Sequence, residues 1–109
     1  MLIRKAITTI NYDLSADLSL KTQAKLLNVN PSYLSTLFKK ETGFTLTEYV
    51  NRKRVEHAIL LLNSTDMQIQ TIALYCGIPD VNYFTKTFKK LIGKTPKEYR
   101  EMIYNSKPK

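Results

Sequence analysis

Two stretches of the chain, residues 32–50 and 82–100, carry small polar side chains followed by a pair of adjacent lysines. Hydroxyl and amide groups donate and accept hydrogen bonds, whereas a lysine ammonium group is a compact positive charge with three donors. The lysine pairs are Lys39-Lys40 and Lys89-Lys90. This combination suits the binding of a polyanion that also offers hydrogen-bonding groups.

The rest of the composition favours binding over catalysis. The 109 residues carry a formal net charge of +8, which suits a nucleic-acid partner, with a well-solvated basic surface as the alternative. There is one histidine, His57, and one cysteine, Cys76, so an intrachain disulfide or a thiolate metal cluster is excluded. The sequence has neither paired inward carboxylates nor a glycine-rich phosphate loop. We therefore expect no enzymatic activity, no metal and no cofactor.

The single cysteine, which suits a reducing compartment, and the hydropathy pattern together predict a cytoplasmic protein. No run approaches the eighteen apolar residues of a membrane span. The first residues lack the long apolar core and the cleavage site of a signal peptide.

A chain of this length forms one domain, or two small lobes that share a core.

The two polar stretches are copies of one repeated unit. At an offset of 50, eight of nineteen positions are identical: Tyr33/Tyr83, Phe38/Phe88, Lys39/Lys89, Lys40/Lys90, Gly43/Gly93, Thr45/Thr95, Glu48/Glu98 and Tyr49/Tyr99. On a helical wheel, the polar residues of each copy share one face and the apolar residues the opposite one. The predicted core residues are Leu34, Leu37 and Phe38 in the first copy and Phe84, Phe88 and Leu91 in the second.

Local signals divide each copy into two helices. Gly43 and Gly93 are typical helix stops, because glycine adopts a left-handed conformation without a Cβ penalty. The segments Thr45-x-x-Glu48 and Thr95-Pro-x-Glu98 are capping boxes that begin the next helix. Upstream, the repeat continues at an offset of 49, as in Ala24/Ala73. A helix, a tight turn and a second helix with a polar outer face describe a helix-turn-helix, present twice.

These signals predict an all-α fold of seven helices in which two helix-turn-helix subdomains are joined by a long connecting helix. The predicted helices are 2–12, 20–27, 31–42, 45–63, 69–76, 81–92 and 96–104. The predicted caps are Ser19, Asn30, Asp66 and Asp80, and residues 105–109 are expected to form a frayed tail. The predicted parts are a first lobe (1–44), the connecting helix (45–63) and a second lobe (64–109).

The ordered motifs resemble the DNA-binding domain of the AraC/XylS transcription regulators over about residues 18–102. The first motif is Leu20-x3-Ala24-x4-Val29-x-Pro31-Ser32-Tyr33-Leu34-Ser35-x2-Phe38-Lys39-Lys40-x2-Gly43. The second is Ile72-Ala73-x3-Gly77-Ile78-x-Asp80-x-Asn82-Tyr83-Phe84-x3-Phe88-Lys89-Lys90-x2-Gly93-x-Thr95-Pro96-x2-Tyr99-Arg100. Arg54-x3-Ala58-x2-Leu61-Leu62 matches the family's connecting helix. Two positions depart from it: Ile78 stands where Phe is usual, and Lys86 where Arg is common.

The resemblance implies that helices 31–42 and 81–92 each enter the major groove of double-stranded DNA. The implied base contacts are Ser32, Ser35, Thr36, Val81, Asn82, Thr85 and Lys86. The implied phosphate contacts are Tyr33, Lys39, Lys40, Tyr83, Lys89 and Lys90. The connecting helix, about 28 Å long at 1.5 Å per residue, approaches one duplex turn of about 34 Å. We expect an asymmetric operator, because the two copies differ.

The implied function is sequence-specific regulation of transcription. Activation is expected, with RNA polymerase as a further partner, and repression is the alternative. The family usually joins this domain to an N-terminal effector or receiver domain, so we expect an output domain of a larger regulator, with a stand-alone regulator as the alternative. A helical protein-interaction module is the main alternative. It predicts an exposed apolar groove and no salt-dependent DNA binding.

Overall fold

Helix signals that act over three or four residues determine most element boundaries. In the computed structural model, which describes residues 2–106, the chain forms seven α-helices and no strand. They are α1 (Leu2–Tyr12), α2 (Leu20–Leu26), α3 (Pro31–Thr42), α4 (Leu46–Ser64), α5 (Ile69–Tyr75), α6 (Val81–Ile92) and α7 (Pro96–Ser106). The all-α class and the order of the seven helices are confirmed.

The predicted caps close most of these helices. Ser19 begins α2 by accepting a hydrogen bond from the Thr22 amide. The two capping boxes are reciprocal: the Thr45 amide donates to Glu48 Oε1 at 2.8 Å, and the Glu48 amide donates to Thr45 Oγ1 at 3.1 Å. Thr95 and Glu98 repeat the same two bonds at the same distances. These bonds satisfy amides that the first turn of a helix leaves without partners.

The turn of each helix-turn-helix contains a left-handed residue. Asn28, at φ 57°, and Gly77, at φ 95°, hold equivalent positions after α2 and α5. In the first turn the amides of Asn28 and Val29 donate to carbonyls of α2, at 3.2 and 3.0 Å, and the second turn repeats this pattern. Such paired bonds define a Schellman motif. The sequence predicted a glycine stop at Gly77 but not the left-handed asparagine.

The chain divides into two compact units, one up to Lys53 and one from Arg54, so the division lies inside α4. The core of the first unit is formed by α1, α2, α3 and the start of α4: Ile3, Ala6, Ile10, Leu18, Ala24, Leu34, Phe38, Leu46 and Val50. The core of the second unit draws on the rest of α4, α5 and α6: Val55, Ala58, Leu62, Ile72, Ala73, Cys76, Ile78, Phe84 and Phe88.

Burial extends the repeat into α1, where sequence identity alone does not reveal it. At an offset of 52, the buried residues Ile3, Ala6 and Ile10 of α1 correspond to the buried residues Val55, Ala58 and Leu62 of α4. Each unit therefore begins with a helix that buries one apolar stripe, followed by a helix-turn-helix. In the first unit that helix is α1, and in the second it is the C-terminal part of α4.

Two local predictions were wrong. Asp66 does not cap α5, because Gln68 occupies the N-cap position and makes no side-chain cap bond. Asp66 Oδ1 instead accepts a hydrogen bond from the Tyr104 hydroxyl at 3.1 Å. The fraying expected from Asn105 is also wrong for two residues, because α7 continues to Ser106. The rest of that expected tail, 107–109, lies outside the described residues.

Candidate nucleic-acid interface

The second helix of each helix-turn-helix, α3 or α6, is capped in the same way at both ends. Asn30 Oδ1 accepts from the Ser32 and Tyr33 amides at 2.8 and 3.4 Å, and Asp80 Oδ1 accepts from the corresponding amides of the second unit at 2.9 and 3.2 Å. Gly43 and Gly93 end the helices at φ 83° and 90°. A Cβ added to either glycine would meet nothing within 4 Å, so backbone conformation alone favours glycine there.

An aromatic pair anchors the inner face of each of these helices to the helix that follows. The rings of Phe38 and Tyr49 lie 5.3 Å apart, edge to face, and those of Phe88 and Tyr99 lie 5.8 Å apart in the same arrangement. Both phenylalanines are fully buried. Edge-to-face pairs are favourable beyond the area that they bury. The core role predicted for these four aromatic residues is confirmed.

The predicted base contacts lie on the outer faces of α3 and α6. Five of the seven are exposed: Ser32, Thr36, Val81, Asn82 and Lys86. Ser35 and Thr85, which occupy equivalent positions, are half-buried. None of the seven lies in the core. Short side chains on an outer face allow the backbone of a helix to come close to base edges in a major groove.

The predicted phosphate contacts are all exposed: Tyr33, Lys39, Lys40, Tyr83, Lys89 and Lys90. Tyr33 is 57% exposed and Tyr83 47%. Lys94, which follows Gly93, and Lys97, in the first turn of α7, are also exposed. The repeat pattern does not predict Lys94 and Lys97, because they have no basic counterpart in the first copy, where Phe44 and Thr47 stand.

The pKa values of the two capping glutamates, Glu48 and Glu98, are both lowered by their surroundings. The pKa of Glu98 is lowered by the hydrogen bond from the Thr95 amide, then by the Thr95 hydroxyl, with Lys89 and Lys94 adding Coulombic attraction. The pKa of Glu48 is lowered in the same way by Thr45, and there Lys39 and Arg52 add the attraction. Both carboxylates therefore remain ionised at neutral pH.

Other kinds of site find little support in residues 2–106. No group of three or more His, Cys, Asp or Glu side chains within this range could hold a metal ion. None of the helices that the structure describes is both long and apolar enough for a membrane span. Cys76 is fully buried, and burial raises the pKa of its thiol to about 11. This burial agrees with the core role that its position on an apolar face predicts.

Comparison with known proteins agrees with these features. A family model described as a helix-turn-helix domain matches residues 23–102. The transcriptional regulatory protein YesN of Bacillus subtilis is 43% identical over 102 residues, which cover 90% of this chain and 28% of that protein. The C-terminal domain of AraT, a response regulator of Geobacillus stearothermophilus, is 37% identical with a TM-score of 0.90, over 93% of this chain and 84% of that one.

A third similarity carries the family's name. A transcriptional regulator of Chromobacterium violaceum, described as an AraC-type DNA-binding domain-containing protein, has a TM-score of 0.84 at 25% identity over 97% of this chain and 95% of that one. The chain spans 31%, 12% and 35% of the length of three curated relatives that it matches. With two helix-turn-helix motifs, capped and anchored alike, the chain belongs to the AraC/XylS family of helix-turn-helix transcription regulators.

Proposed function

We propose that this chain binds double-stranded DNA sequence-specifically and serves as the C-terminal output domain of a larger transcription regulator. The observation that carries the proposal is the exposure of equivalent polar and basic residues on the outer faces of α3 and α6. A major groove admits an α-helix, and its base edges offer donors and acceptors that such side chains can match.

The base contacts would differ between the two helices. On α6, Asn82 can bond bidentately to adenine, Lys86 can donate to guanine, and the methyl groups of Val81 and Thr85 can touch thymine. On α3, the hydroxyls of Ser32, Ser35 and Thr36 would contact bases, and a hydroxyl can both donate and accept. An operator with two unlike half-sites follows from this difference.

The phosphate contacts would supply affinity without sequence information. Lysine ammonium groups displace counterions from the duplex, so affinity falls as salt rises. The proposed lysines are Lys39, Lys40, Lys89 and Lys90, and the Tyr33 and Tyr83 hydroxyls would donate to phosphate oxygens. The division between the two units lies inside the continuous helix α4, which therefore links them.

The partners of the whole protein follow from this function. We infer an N-terminal effector or receiver domain, since matched relatives are far longer than the chain. We also infer a cytoplasmic location, where DNA and RNA polymerase are accessible, and a role as an activator that contacts the polymerase. No enzymatic step is assigned to the domain, because its polar residues are arranged for binding.

Duplex binding measured by fluorescence anisotropy over a range of salt concentrations tests the proposal. Affinity should fall steeply with salt, and Lys89→Gln or Lys39→Gln should each reduce the slope of log K against log salt by about 1. Lys5→Gln on α1 is the matched control, because it removes the same charge from an exposed residue that is not a proposed contact. The slope of log K against log salt for this variant should stay closer to that of the parent. Salt-independent affinity would instead support a protein-interaction module.

A further inference from the structure

The segments that contain α3 and α6 differ in charge, although they are repeats. Residues 31–48, a range that ends at the capping glutamate and so leaves out Arg52 beside it, contain two lysines, Lys39 and Lys40, and two glutamates, Glu41 and Glu48, which gives a net charge of 0. Residues 81–98 contain five lysines and one glutamate, which gives a net charge of +4. The five lysines are all exposed: Lys86, Lys89, Lys90, Lys94 and Lys97.

The difference arises from substitutions at exposed or half-buried positions. Three lysines of the second unit replace uncharged residues of the first: Thr36/Lys86, Phe44/Lys94 and Thr47/Lys97. In the opposite direction, Glu41 in the last turn of α3 corresponds to Leu91 in α6. Because Glu41 is exposed beside Lys40, it offsets part of the attraction that the lysine pair exerts on a phosphate.

The hydrogen-bonding groups of the two outer faces also differ in selectivity. The polar side chains proposed for base contact on α3 are all hydroxyls, and serine or threonine accommodates more than one base. The face of α6 carries an amide at Asn82 and an ammonium group at Lys86, which favour adenine and guanine respectively. These two residues lie four positions apart, about 6 Å along the helix, so one groove segment can accommodate both.

We propose that α6 and its flanking lysines are the dominant DNA-recognition element of this chain, and that α3 adds affinity with little discrimination between bases. This inference rests on the proposed function and assigns unequal weights to its two helices. Charge and selectivity point to the same unit, and Lys86 is the one residue that both observations share. The operator should therefore contain one well-defined half-site and one degenerate half-site.

Selection of bound duplexes from a random pool, with the complete chain and with two matched variants, tests the inference. Ser32→Ala/Ser35→Ala/Thr36→Ala removes the polar face of α3, and Asn82→Ala/Thr85→Ala/Lys86→Ala removes that of α6. The α3 variant should enrich nearly the parent motif. The α6 variant should lose the well-defined half, with adenine or guanine preferences falling about 5- to 150-fold per position, as expected for loss of a bidentate contact.

A third variant tests for a gain of base selectivity, because a loss of stability could not produce such a gain. Ser32→Asn/Thr36→Lys transfers the two selective side chains of α6 to exposed positions of α3. The selected motif should then acquire defined bases in the half that was degenerate. A variant that still selects a degenerate half would overturn the inference.

The remaining outcomes separate this inference from the function on which it rests. If the parent chain enriches equal information in both halves, or the α3 variant loses more selectivity than the α6 variant, unequal recognition is wrong and DNA binding stands. If the parent chain enriches no duplex under low salt, the proposed function itself fails. Circular dichroism of each variant confirms that it retains its helices.

Discussion

At the scale of single residues, the most unusual one is Gln23 on α2. Its side chain is fully buried, and neither amide atom has a hydrogen-bond partner among the described residues. The equivalent residue of the second unit is Ile72, which is also fully buried. A buried amide without partners loses its hydration and gains no bond in return.

Gln23→Leu should therefore stabilise the chain. We expect the free energy of unfolding to rise by about 1–2 kcal/mol, since the substitution removes an unsatisfied polar group of similar size. Urea denaturation followed by circular dichroism measures this change. The reverse variant, Ile72→Gln, should destabilise. A loss of stability in Gln23→Leu would mean that the amide has a partner in solution.

The only cysteine, Cys76, offers a second test at this scale. Because burial raises the pKa of its thiol to about 11, almost none of it is thiolate at pH 8, and the folded chain also shields it. We expect no reaction with a thiol reagent in buffer and complete reaction in denaturant. Rapid labelling of the folded chain would contradict the burial of Cys76 in the second core.

At the scale of helices, the turn between α2 and α3 depends on Asn28. Its φ of 57° is in the left-handed region, which asparagine tolerates better than most residues and glycine best. Asn28→Ala should lower the free energy of unfolding by about 1 kcal/mol, whereas Asn28→Gly should leave it unchanged or raise it. Thermal unfolding compares the two variants. Equal stability of both would argue against the left-handed turn.

The capping boxes predict how stability responds to acid. Folding lowers the pKa of Glu48 and Glu98 below the ordinary value of 4.5, chiefly through bonds from the Thr45 and Thr95 amides. A lowered folded pKa contributes stability that is fully present above pH 4.5 and is lost as the pH falls through the folded value. In the variant Glu48→Ala/Glu98→Ala, the loss of stability between pH 5 and pH 3 should be smaller than in the parent.

The charge-neutral variant Glu48→Gln/Glu98→Gln separates charge from hydrogen bonding. Glutamine can still accept the amide bond of a capping box but does not titrate. The stability of this variant should therefore change less with pH than that of the parent across this range, and the variant should retain its helix content. An unchanged acid profile in both variants would show that other groups control acid unfolding.

Helix boundaries were predictable because their signals are local. Asn30, Asp80, Gly43 and Gly93 each act within a few residues of the chain, and each does what its type predicts. Asp66 is not the cap of α5, because Gln68 holds that position, and the Asp66 carboxylate instead contacts Tyr104, 38 residues away. No pattern within one helix predicts such a contact. The burial of Gln23 was not predicted for a different reason: glutamine is usually found at exposed positions.

The sequence was enough to predict which face of each helix forms the candidate site, but not every residue that belongs to the site. The periodicity of Ser32, Ser35 and Thr36 is enough to place them opposite Leu34 and Phe38, as the structure has them. Lys94 and Lys97 could not be predicted from the residues that the two copies share, because Phe44 and Thr47 occupy their positions in the first copy. The contact that each residue makes with DNA remains a prediction, since it depends on the partner.

At the scale of the whole molecule, the account predicts two unlike recognition helices that act on one duplex. The units share their capping, their aromatic anchors and their core positions, so the scaffold is repeated while the outer faces differ. On the proposed function, the scaffold residues would preserve the shape of a groove-binding helix, and the outer residues would determine which bases it prefers. Dissimilar outer faces argue against a palindromic operator.

Selection of duplexes from a random pool by the unmodified chain, analysed by sequencing, tests this central claim most directly. The account predicts enrichment of an asymmetric site with two unlike clusters of contacted bases about one helical turn apart. Enrichment of a palindrome, or of no sequence at all, would contradict it.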